Sequence, residues 1–377
     1  MPGLHYRNVV LGGGAMGLAA TYHLARRGEP VLLVEQFALG HDRGSSHGAA
    51  RIIRHSYADE RYARLMPRAF DAWRELEAEA GRPLYIRTGG LSLSPPGVDY
   101  VARVAASLEA IGCPHRRMSG EELSRTNPSF IVPDDLDVVF EPDAGLILAD
   151  RALAVQIELA RSVGGMRTHI WENSAVLRID LNADRPTLVF RDRTVTAERL
   201  IVAAGPWIGR HFPEYAARLR PERQQILYFL PSNPTPFSIG HLPVFIYKGP
   251  GPRDAYYGMP DVSEGGVKVA RHGGDPVDPD ADDRGIGVMY RDEIRDFLSG
   301  VLPDLTHARI MRTEICKYTV ADNEDFLVDF HPVRRDVLLA SPCSGHGFKF
   351  SCLIGRVLAD LATIGRTDIN IEGWRLK

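Results

Sequence analysis

The amino-acid sequence predicts a mixed α/β fold, in which a Rossmann-like βαβ domain is interleaved with a second domain built on a mostly antiparallel β-sheet. Three observations predict this fold. The first 35 residues have the pattern of a strand, a helix and a second strand. Residues 221–319 are instead rich in Pro, Gly and Tyr and contain only short strand-like runs. The chain has 377 residues, enough for two domains at roughly 150 residues each.

The predicted βαβ unit begins with a short β-branched run at residues 8–11. A helical stretch follows over 15–27, with Arg26 and Arg27 in its last turn and Gly28 just beyond them, which is typical of a helix C-terminus. The apolar run 31–35 then predicts a buried strand that closes on an acidic residue.

The later elements follow from the same patterns. Residues 37–56 show no clear period and predict mostly loop, whereas 62–80 predicts a helix that Pro67 bends or delimits. Apolar residues at helical spacing predict a helix over 101–111, and Asp150 predicts the N-cap of a helix that continues through 159. The remaining predicted elements are a hairpin at 187–196, a buried strand at 200–205, strands at 225–230 and 267–270, and an amphipathic helix at 353–361.

The domain boundaries follow from where the two types of segment lie. Segments of the βαβ kind lie towards both ends of the chain, and the antiparallel kind lies mainly between them. We therefore expect a discontinuous dinucleotide-binding domain made of residues 1–84, 145–220 and 320–377. The substrate domain is expected to comprise residues 85–144 and 221–319.

The composition excludes several classes of protein. The 45 Lys and Arg residues nearly balance the 48 Asp and Glu residues, which argues against binding to a nucleic-acid backbone. With 44% hydrophobic and 25% charged residues, the chain has the composition of a globular protein and not of a disordered one. No apolar run reaches the roughly 18 residues that a membrane helix needs. The four Cys residues form no CxxC pair and no zinc spacing, so we expect a cytoplasmic protein without a metal site.

A glycine motif follows the first predicted strand. Gly12-x-Gly14-x-x-Gly17 is a weak signal alone, but here a strand precedes it, a helix follows it, and Glu35 ends the next strand 18 residues after Gly17. The glycines allow a tight turn and a close approach of the backbone to a pyrophosphate, and Glu35 can accept hydrogen bonds from ribose hydroxyls. The pattern predicts a dinucleotide site but does not separate FAD from NAD.

Four further clusters are ambiguous when each is considered alone. Arg51 and Arg54 follow a Gly/Ser-rich stretch close to the predicted cofactor, yet Arg in a loop is usually surface charge. Lys349 follows Gly345-His346-Gly347, but the same segment fits an ordinary lead-in to a helix. Lys268 lies in a predicted strand, with His272 four residues later, and a Lys in a strand most often points to solvent. A free Cys such as Cys316 is most often a small buried hydrophobe.

Taken together, these pieces resemble the monomeric sarcosine oxidase family over essentially the whole chain. The order and spacing of the later motifs are far more specific than the glycine pattern, and they favour FAD as the cofactor. The resemblance rests on Gly12-x-Gly14-x-x-Gly17, Gly44-Ser-Ser-His-Gly48 with Arg51-Ile-Ile-Arg54, Tyr257-Gly258 before Lys268, Cys316-x-Tyr318-Thr319, and Ser344-Gly-His-Gly-Phe-Lys-Phe350.

The resemblance implies an amine-oxidising flavoenzyme with the fold of the D-amino-acid oxidase group. It implies that Cys316 carries the flavin through a thioether at the 8α carbon, and that Arg54 and Lys349 hold the carboxylate of the substrate. Lys268 would lie beside the flavin and promote its reaction with oxygen. Two further groups are assigned in the same way: Tyr257 and His272 line the substrate site, and Arg51 and His47 lie against the flavin.

The expected site is therefore large. The residues expected to be catalytic are Lys268, Arg51, His272 and Tyr257, and those expected to bind the substrate are Arg54, Lys349, Tyr257 and His272. The residues expected to bind FAD are Gly12, Gly14, Ala15, Met16, Gly17, Glu35, Ser45, Ser46, His47, Arg51, Ile52, Cys316, Gly345, Gly347, Phe348 and Lys349. The expected partners are a secondary amino acid and dioxygen, with neither nucleic acid nor membrane, and the family name implies a monomer.

The sequence also departs from the family pattern. Residues 320–325 replace a Thr-Pro-Asp-Glu type of turn, and Cys343 stands where sarcosine oxidases tend to carry Phe, so the substrate is expected to be larger than sarcosine. Three alternatives to an oxidase of secondary amino acids remain. They are a flavin dehydrogenase that passes electrons to a quinone or carrier protein, a pyridine-nucleotide dehydrogenase, and a non-catalytic flavin-binding protein.

Overall fold

The computed structural model describes residues 3–262 and 265–375, and this part of the chain forms three β-sheets and eight α-helices. The strands are β1 (Leu4–Leu11), β2 (Val31–Val34), β3 (Ala50–Ile53), β4 (Tyr85–Arg87), β5 (Gly90–Ser94), β6 (Arg116–Ser119), β7 (Asp137–Glu141), β8 (Gly145–Leu148), β9 (Thr168–Trp171), β10 (Arg178–Asp180), β11 (Thr187–Val189), β12 (Thr194–Val202), β13 (Leu219–Leu230), β14 (Val244–Lys248), β15 (Ala255–Met259), β16 (Val267–Arg271), β17 (Asp275–Pro276), β18 (Arg309–Ala321), β19 (Leu327–Phe330) and β20 (Val337–Ser341). The helices are α1 (Ala15–Arg26), α2 (Glu60–Ala80), α3 (Tyr100–Ala110), α4 (Gly120–Thr126), α5 (Ala149–Gly164), α6 (Ile208–His211), α7 (Val288–Ser299) and α8 (Ser351–Ile364).

The first sheet is Rossmann-like. Its five parallel strands lie in the order β9-β2-β1-β12-β20, and β10, β11 and β19 extend it with antiparallel pairings. Alternate residues of β1 enter different cores, because successive side chains of a strand point to opposite faces. Val10 packs in the core that contains α1, α5 and α8, whereas Val9 and Leu11 pack in the core on the other face. The predicted βαβ domain is confirmed.

The second sheet has the order β17-β13-β16-β15-β14-β5-β7-β6, with β18 paired to β13. Its pairings are antiparallel apart from β14 with β5. The register between β13 and β18 shifts between Tyr228 and Phe229, which marks a β-bulge. This sheet confirms the predicted antiparallel domain and carries Lys268 on β16, Tyr257 on β15 and Cys316 on β18.

A small third sheet, in the order β3-β8-β4, brings Arg51 to the same region. The prediction that residues 37–56 are mostly loop therefore needs a correction, since it missed β3. A strand of four residues with one polar member has too short an alternation to be detected from sequence.

Two other element predictions also need correction. Asp150 is not the N-cap of α5, because the helix begins one residue earlier at Ala149 and the Asp150 carboxylate instead accepts a hydrogen bond from the Gly48 backbone N–H at 2.8 Å. The predicted hairpin strand after residue 193 and the predicted buried strand at 200 are one continuous strand, β12. The sequence predicted that Pro67 bends or delimits its helix, and the structure excludes the second alternative because Pro67 lies within α2.

The predicted division into two domains and its boundaries remain a prediction. The first sheet draws its strands from the segments 1–84, 145–220 and 320–377, and the second draws most of its strands from the other two segments. Within the described residues, we find no helix that is both long and apolar enough to cross a membrane.

Candidate functional site

A cavity of about 640 Å³ extends from the turn after β1 to the loop before α8 and is bordered by residues from all three sheets. It brings together eighteen of the predicted site residues, from segments far apart in the sequence. These residues are Gly12, Gly14, Ala15, Met16, Glu35, Ser45, Ser46, Arg51, Ile52, Arg54, Tyr257, Lys268, His272, Cys316, Gly345, Gly347, Phe348 and Lys349. The two predicted residues that do not line it are Gly17 and His47.

The turn between β1 and α1 forms one end of the cavity. Gly12 has a φ of +106°, and a Cβ at this position would lie 2.4 Å from the carbonyl oxygen of Ala203, so only Gly fits. A Cβ on Gly17 would lie 1.8 Å from the carbonyl oxygen of Gly12, and this contact explains why Gly17 packs helix against strand and does not line the cavity. The N-terminus of α1 therefore faces the cavity at close range, where it favours a negatively charged group.

Glu35 lies directly after β2 and is almost completely buried. One of its carboxylate oxygens accepts a hydrogen bond from the Gly13 N–H at 2.6 Å, and the other accepts one from the Phe37 N–H at 2.9 Å. These bonds fix the carboxylate at the cavity wall. Each oxygen has a second lone pair, so Glu35 can still accept hydrogen bonds from hydroxyl groups of a ligand.

Cys316 is buried on β18 between two basic side chains. Its Sγ lies 3.8 Å from Nε2 of His47 and 3.8 Å from Nη2 of Arg51. Burial alone would raise the pKa of Cys316, but the hydrogen bond with His47 and the charges of Arg51 and Lys268 lower it overall. The environment therefore favours the thiolate. His47 contacts Cys316 but does not line the main cavity. It lines a smaller neighbouring cavity of about 110 Å³.

Arg51 is held by the backbone around it. Its guanidinium donates to the carbonyl oxygens of Ser45 at 2.8 Å, His47 at 2.6 Å and Ala50 at 2.9 Å. These acceptors are uncharged, and no carboxylate among the described residues forms an ion pair with Arg51. Arg51 therefore stays positively charged at the cavity wall.

Lys268 is 3% exposed, and its Nζ lies 3.4 Å from the carbonyl oxygen of Ala50. Burial, followed by the charge of Arg51, lowers the pKa of Lys268 to about 7. A buried ammonium with no carboxylate partner is costly unless a ligand supplies negative charge. The position of Lys268 is thus suited to a group that becomes anionic during a reaction.

Arg54 and Lys349 meet on another part of the wall. The guanidinium of Arg54 lies 4.5 Å from the ring centre of Tyr57, and its buried Nε has no hydrogen-bond partner among the described residues. Burial, followed by the nearby charge of Arg54, lowers the pKa of Lys349 well below its usual value. Two basic side chains that face one cavity, with no acidic partner among the described residues, form a binding site for an anion.

A chain of hydrogen bonds holds Lys349 in place. Its Nζ donates to the Tyr57 hydroxyl at 3.0 Å, and that hydroxyl lies 3.1 Å from Nδ1 of His346. Burial, followed by the charge of Lys349, lowers the pKa of His346 to about 3, so the imidazole is neutral. Tyr57 therefore donates to Nδ1, and the protonated Nε2 donates to the carbonyl oxygen of Glu324 at 2.9 Å.

The position of Arg54 depends on a buried carboxylate in β7. Glu141 accepts hydrogen bonds from the backbone N–H groups of His55 at 2.8 Å and Ser56 at 3.0 Å, and it lies 2.7 Å from Nδ1 of His55. His55 in turn stacks on Phe70 of α2. These contacts fix the segment that follows Arg54.

Tyr257 and His272 complete the wall beside Lys268. Burial raises the pKa of Tyr257, and its hydroxyl donates to that of Tyr318, whose pKa is raised to about 12 by burial. His272 lies 3.6 Å from the Glu324 carboxylate, and the pKa of Glu324 is lowered to about 2, first by this contact with His272. Both predicted residues thus line the cavity. Each contacts a residue, Tyr318 or Glu324, to which the sequence analysis assigned no role.

Sequence reasoning assigned no role to five residues on this wall, namely Tyr57, Lys248, Tyr318, Glu324 and His346. Tyr318 and His346 lie inside the quoted motifs, in which the roles were assigned to neighbouring residues. Tyr57 and Glu324 carry no special pattern. Lys248 had a usable signal, because only five of the 45 Lys and Arg residues are Lys.

A family model described as FAD dependent oxidoreductase matches residues 7–361 of this chain. Monomeric sarcosine oxidase from Bacillus sp. (strain NS-129) is 32% identical, and the aligned region covers 99% of this chain and 96% of the relative. N-methyl-L-tryptophan oxidase from Escherichia coli (strain SMS-3-5 / SECEC) is 30% identical, with 99% of each chain covered.

Solved structures show the same fold. NikD, an amino acid oxidase essential for nikkomycin biosynthesis, has a TM-score of 0.87 at 24% identity, with 99% of this chain and 98% of that chain covered. L-proline dehydrogenase from P. horikoshii has a TM-score of 0.85 at 21% identity, with 99% of this chain and 97% of that chain covered. At these identities the likeness concerns the fold alone.

Proposed function

This chain belongs to the family of FAD-dependent oxidoreductases that includes monomeric sarcosine oxidase and N-methyl-L-tryptophan oxidase, and on that premise we propose that it oxidises secondary amino acids, N-methyl or cyclic, with dioxygen as the electron acceptor. The products are hydrogen peroxide and an imine. An N-methyl substrate, after hydrolysis of its imine, yields the primary amino acid and formaldehyde. We further propose that the enzyme acts as a cytoplasmic monomer.

The residues present fit FAD. Gly12 and Gly14 line the cavity in the turn before α1, where a pyrophosphate could approach the backbone closely, and Glu35 holds a carboxylate at the adjacent strand end. Thr319 has a buried hydroxyl oxygen without a hydrogen-bond partner among the described residues and lines the same cavity. Cys316 offers a thiol in an environment that favours the thiolate. We propose that these residues hold FAD, with Cys316 as a covalent attachment point.

The observation that carries the proposed substrate class is the pair Arg54 and Lys349. Both side chains line the cavity that holds the dinucleotide signature, and no acidic side chain hydrogen-bonds with either of them in the described part of the chain. A substrate carboxylate would supply the negative charge that these two buried basic side chains lack. It would also orient the substrate, because charge-assisted bonds to two fixed cations leave little freedom to rotate.

Bound FAD would supply the chemistry itself, accepting a hydride equivalent from the substrate and passing two electrons to dioxygen. The task of the protein is then to orient the substrate, exclude water and place charge. Lys268 and Arg51 would stabilise negative charge that develops beside them. Tyr257 and His272 would contact the substrate amine from the wall of the second sheet.

A peroxide assay tests the proposal. Purified enzyme under air is offered sarcosine, N-methyltryptophan, pipecolate, proline and other N-alkyl amino acids, and peroxide is measured against substrate consumed. We expect one mole of peroxide per mole of substrate. Substrate consumption without peroxide, restored by an added quinone, would instead identify a dehydrogenase.

Arg54→Ala is expected to raise the KM for carboxylated amines by about 10- to 100-fold, because it removes a charge-assisted hydrogen bond to the substrate. The measurement is steady-state peroxide production over a range of substrate concentrations. Arg64→Ala is the matched control, since Arg64 is exposed on α2 and pairs with Glu60. An unchanged KM in Arg54→Ala would remove Arg54 from the substrate site.

A further inference from the structure

Lysine is rare in this protein, and the lysines that the structure describes line cavities. Only five of the 45 basic Lys and Arg residues are Lys, so nearly every surface cation is an Arg. Four Lys residues lie in the described part of the chain. Lys248, Lys268 and Lys349 line the main cavity, and Lys317 lines the smaller cavity beside it. The ammonium of Lys is a compact point charge on a flexible stem, whereas the guanidinium of Arg is planar and wider. The described Lys residues place this compact charge at cavity walls.

Lys248 is the one lysine on the main cavity without a role in the proposed reaction. It is the last residue of β14, and Ile246, two positions earlier, lines the same cavity. The alternation of side chains along a strand explains why both point to this face. The Lys248 ammonium makes no hydrogen bond or ion pair with any described residue, although the charges of Arg54 and Glu324 act on it.

The charges around Lys248 do not balance. Lys248, Arg54 and Lys349 are three basic side chains, and Glu324 is the carboxylate whose charge acts on Lys248, with His272 as its own partner at 3.6 Å. The other acids on this side of the cavity are already paired with arginines. Asp59 and Asp325 lie 2.7 and 3.1 Å from Arg61, and Asp99 lies 3.9 Å from Arg103.

In the proposed reaction the substrate carboxylate is held by Arg54 and Lys349, which leaves Lys248 without an anionic partner. A second carboxylate on the substrate would supply that partner, because no described side chain forms an ion pair with Lys248. A partly buried ammonium that is left unpaired lowers affinity for neutral side chains, which cannot replace its lost hydration.

We propose that Lys248 is a specificity-determining residue that binds a second carboxylate, so that the substrate is a dicarboxylic secondary amino acid. This inference rests on the proposed function. Arg54 and Lys349 hold the α-carboxylate, and Lys248 holds the carboxylate carried either by the side chain or by the substituent on nitrogen. Both sources present the same chemistry to the ammonium.

The test compares dicarboxylic with monocarboxylic substrates under anaerobic conditions, with bleaching of the flavin as the readout. N-methylaspartate and N-methylglutamate carry the second carboxylate on the side chain, and N-carboxymethylglycine carries it on nitrogen. N-methylalanine and sarcosine are the monocarboxylic references. We expect the reduction rate constant divided by the apparent Kd to be at least about 10-fold higher for a dicarboxylic member.

Variants tie this preference to Lys248. In Lys248→Met the ratio of dicarboxylic to monocarboxylic efficiency should fall by about 10- to 100-fold, and Lys248→Arg should keep part of the preference because it keeps the charge. Arg253→Met is the matched control, since Arg253 lies in the turn after β14 and pairs with Asp275 on the surface. This control should leave the ratio unchanged.

The outcomes separate the two levels of inference. Efficient reduction by monocarboxylic substrates without a dicarboxylic preference overturns the role of Lys248 and leaves the proposed function intact. A preference that persists in Lys248→Met overturns the role as well. If no secondary amino acid of either kind bleaches the flavin, the proposed function fails and this inference fails with it.

Discussion

Lys268→Met is expected to slow the reaction of the reduced enzyme with dioxygen by about 10²- to 10³-fold, the loss that follows removal of one preorganised group that stabilises developing charge. Lys268 is almost completely buried and forms no ion pair with any described residue, so water screens its charge little, although the charges of Cys316 and Glu314 act on it. Transfer of an electron to dioxygen creates negative charge, and a fixed cation lowers the free energy of that step. Stopped-flow mixing of reduced enzyme with oxygenated buffer measures the rate constant.

The reductive half-reaction is the internal control for this variant. Anaerobic mixing of oxidised Lys268→Met with substrate should give a reduction rate that changes much less than the rate with dioxygen. A variant that is reduced slowly and reoxidised at the wild-type rate would assign Lys268 to the substrate step instead.

The pH dependence of reoxidation provides a second measurement on the same residue. Burial, followed by the charge of Arg51, lowers the pKa of Lys268 to about 7, and a nearby negative charge raises the pKa of an ammonium. The cation is present below its pKa and is lost above it. We therefore expect the wild-type rate to fall as pH rises, with a midpoint at or above pH 7, and we expect Lys268→Met to lack this transition.

Cys316→Ala is expected to abolish covalent attachment of the flavin. The wild-type protein should keep its yellow colour after precipitation with acid, whereas the variant should release all of its flavin into the supernatant. The reason is that Cys316 lies on the cavity wall and that His47 and Arg51, each 3.8 Å from its Sγ, favour the thiolate that forms the thioether. The absorbance of the pellet and of the supernatant near 450 nm measures the two fractions.

Cys343→Ala is the matched control for this experiment. Cys343 also lines the cavity, but burial raises its pKa to about 11, so its thiol is not activated. This variant should retain the flavin in the pellet. A wild-type protein whose flavin is released completely by acid would contradict the covalent link.

Much of the proposed cofactor end of the site could be predicted from the sequence, because its signal is local. Gly12, Gly14, Gly17 and Glu35 belong to one βαβ unit, and the spacing between them follows from the geometry of a single turn and a single helix. The structure places Gly12 at a positive φ against Ala203, which explains why a residue with a side chain does not fit there.

The substrate end could not be predicted from local patterns. Arg54, Lys268, Cys316 and Lys349 each had an ordinary interpretation, and only their order along the chain, through the resemblance to a family, suggested a common site. The hydrogen bonds of Tyr57 with Lys349 and His346 join residues 289 or more positions apart. No periodicity or spacing reports contacts over such distances.

Asp150 illustrates the same limit within a single element. An Asp before an apolar helical pattern predicts an N-cap. In the structure the carboxylate accepts from Gly48, in a loop about 100 residues earlier, and the helix begins without it. The backbone N–H of Gly48 takes the place of a backbone N–H in the first turn of α5. Both donors are backbone amides, so only tertiary packing decides between them.

The sequence by itself determined the βαβ unit, the dinucleotide signature and the division into parallel and antiparallel sheets, because each depends on the periodicity of neighbouring residues. The tertiary structure alone decided which cations share a cavity and which acids neutralise them. Arg61 pairs with Asp59 and Asp325, whereas Lys248 pairs with no described residue. The free energy of a charge depends on its distance from other charges and from water, and folding sets both distances.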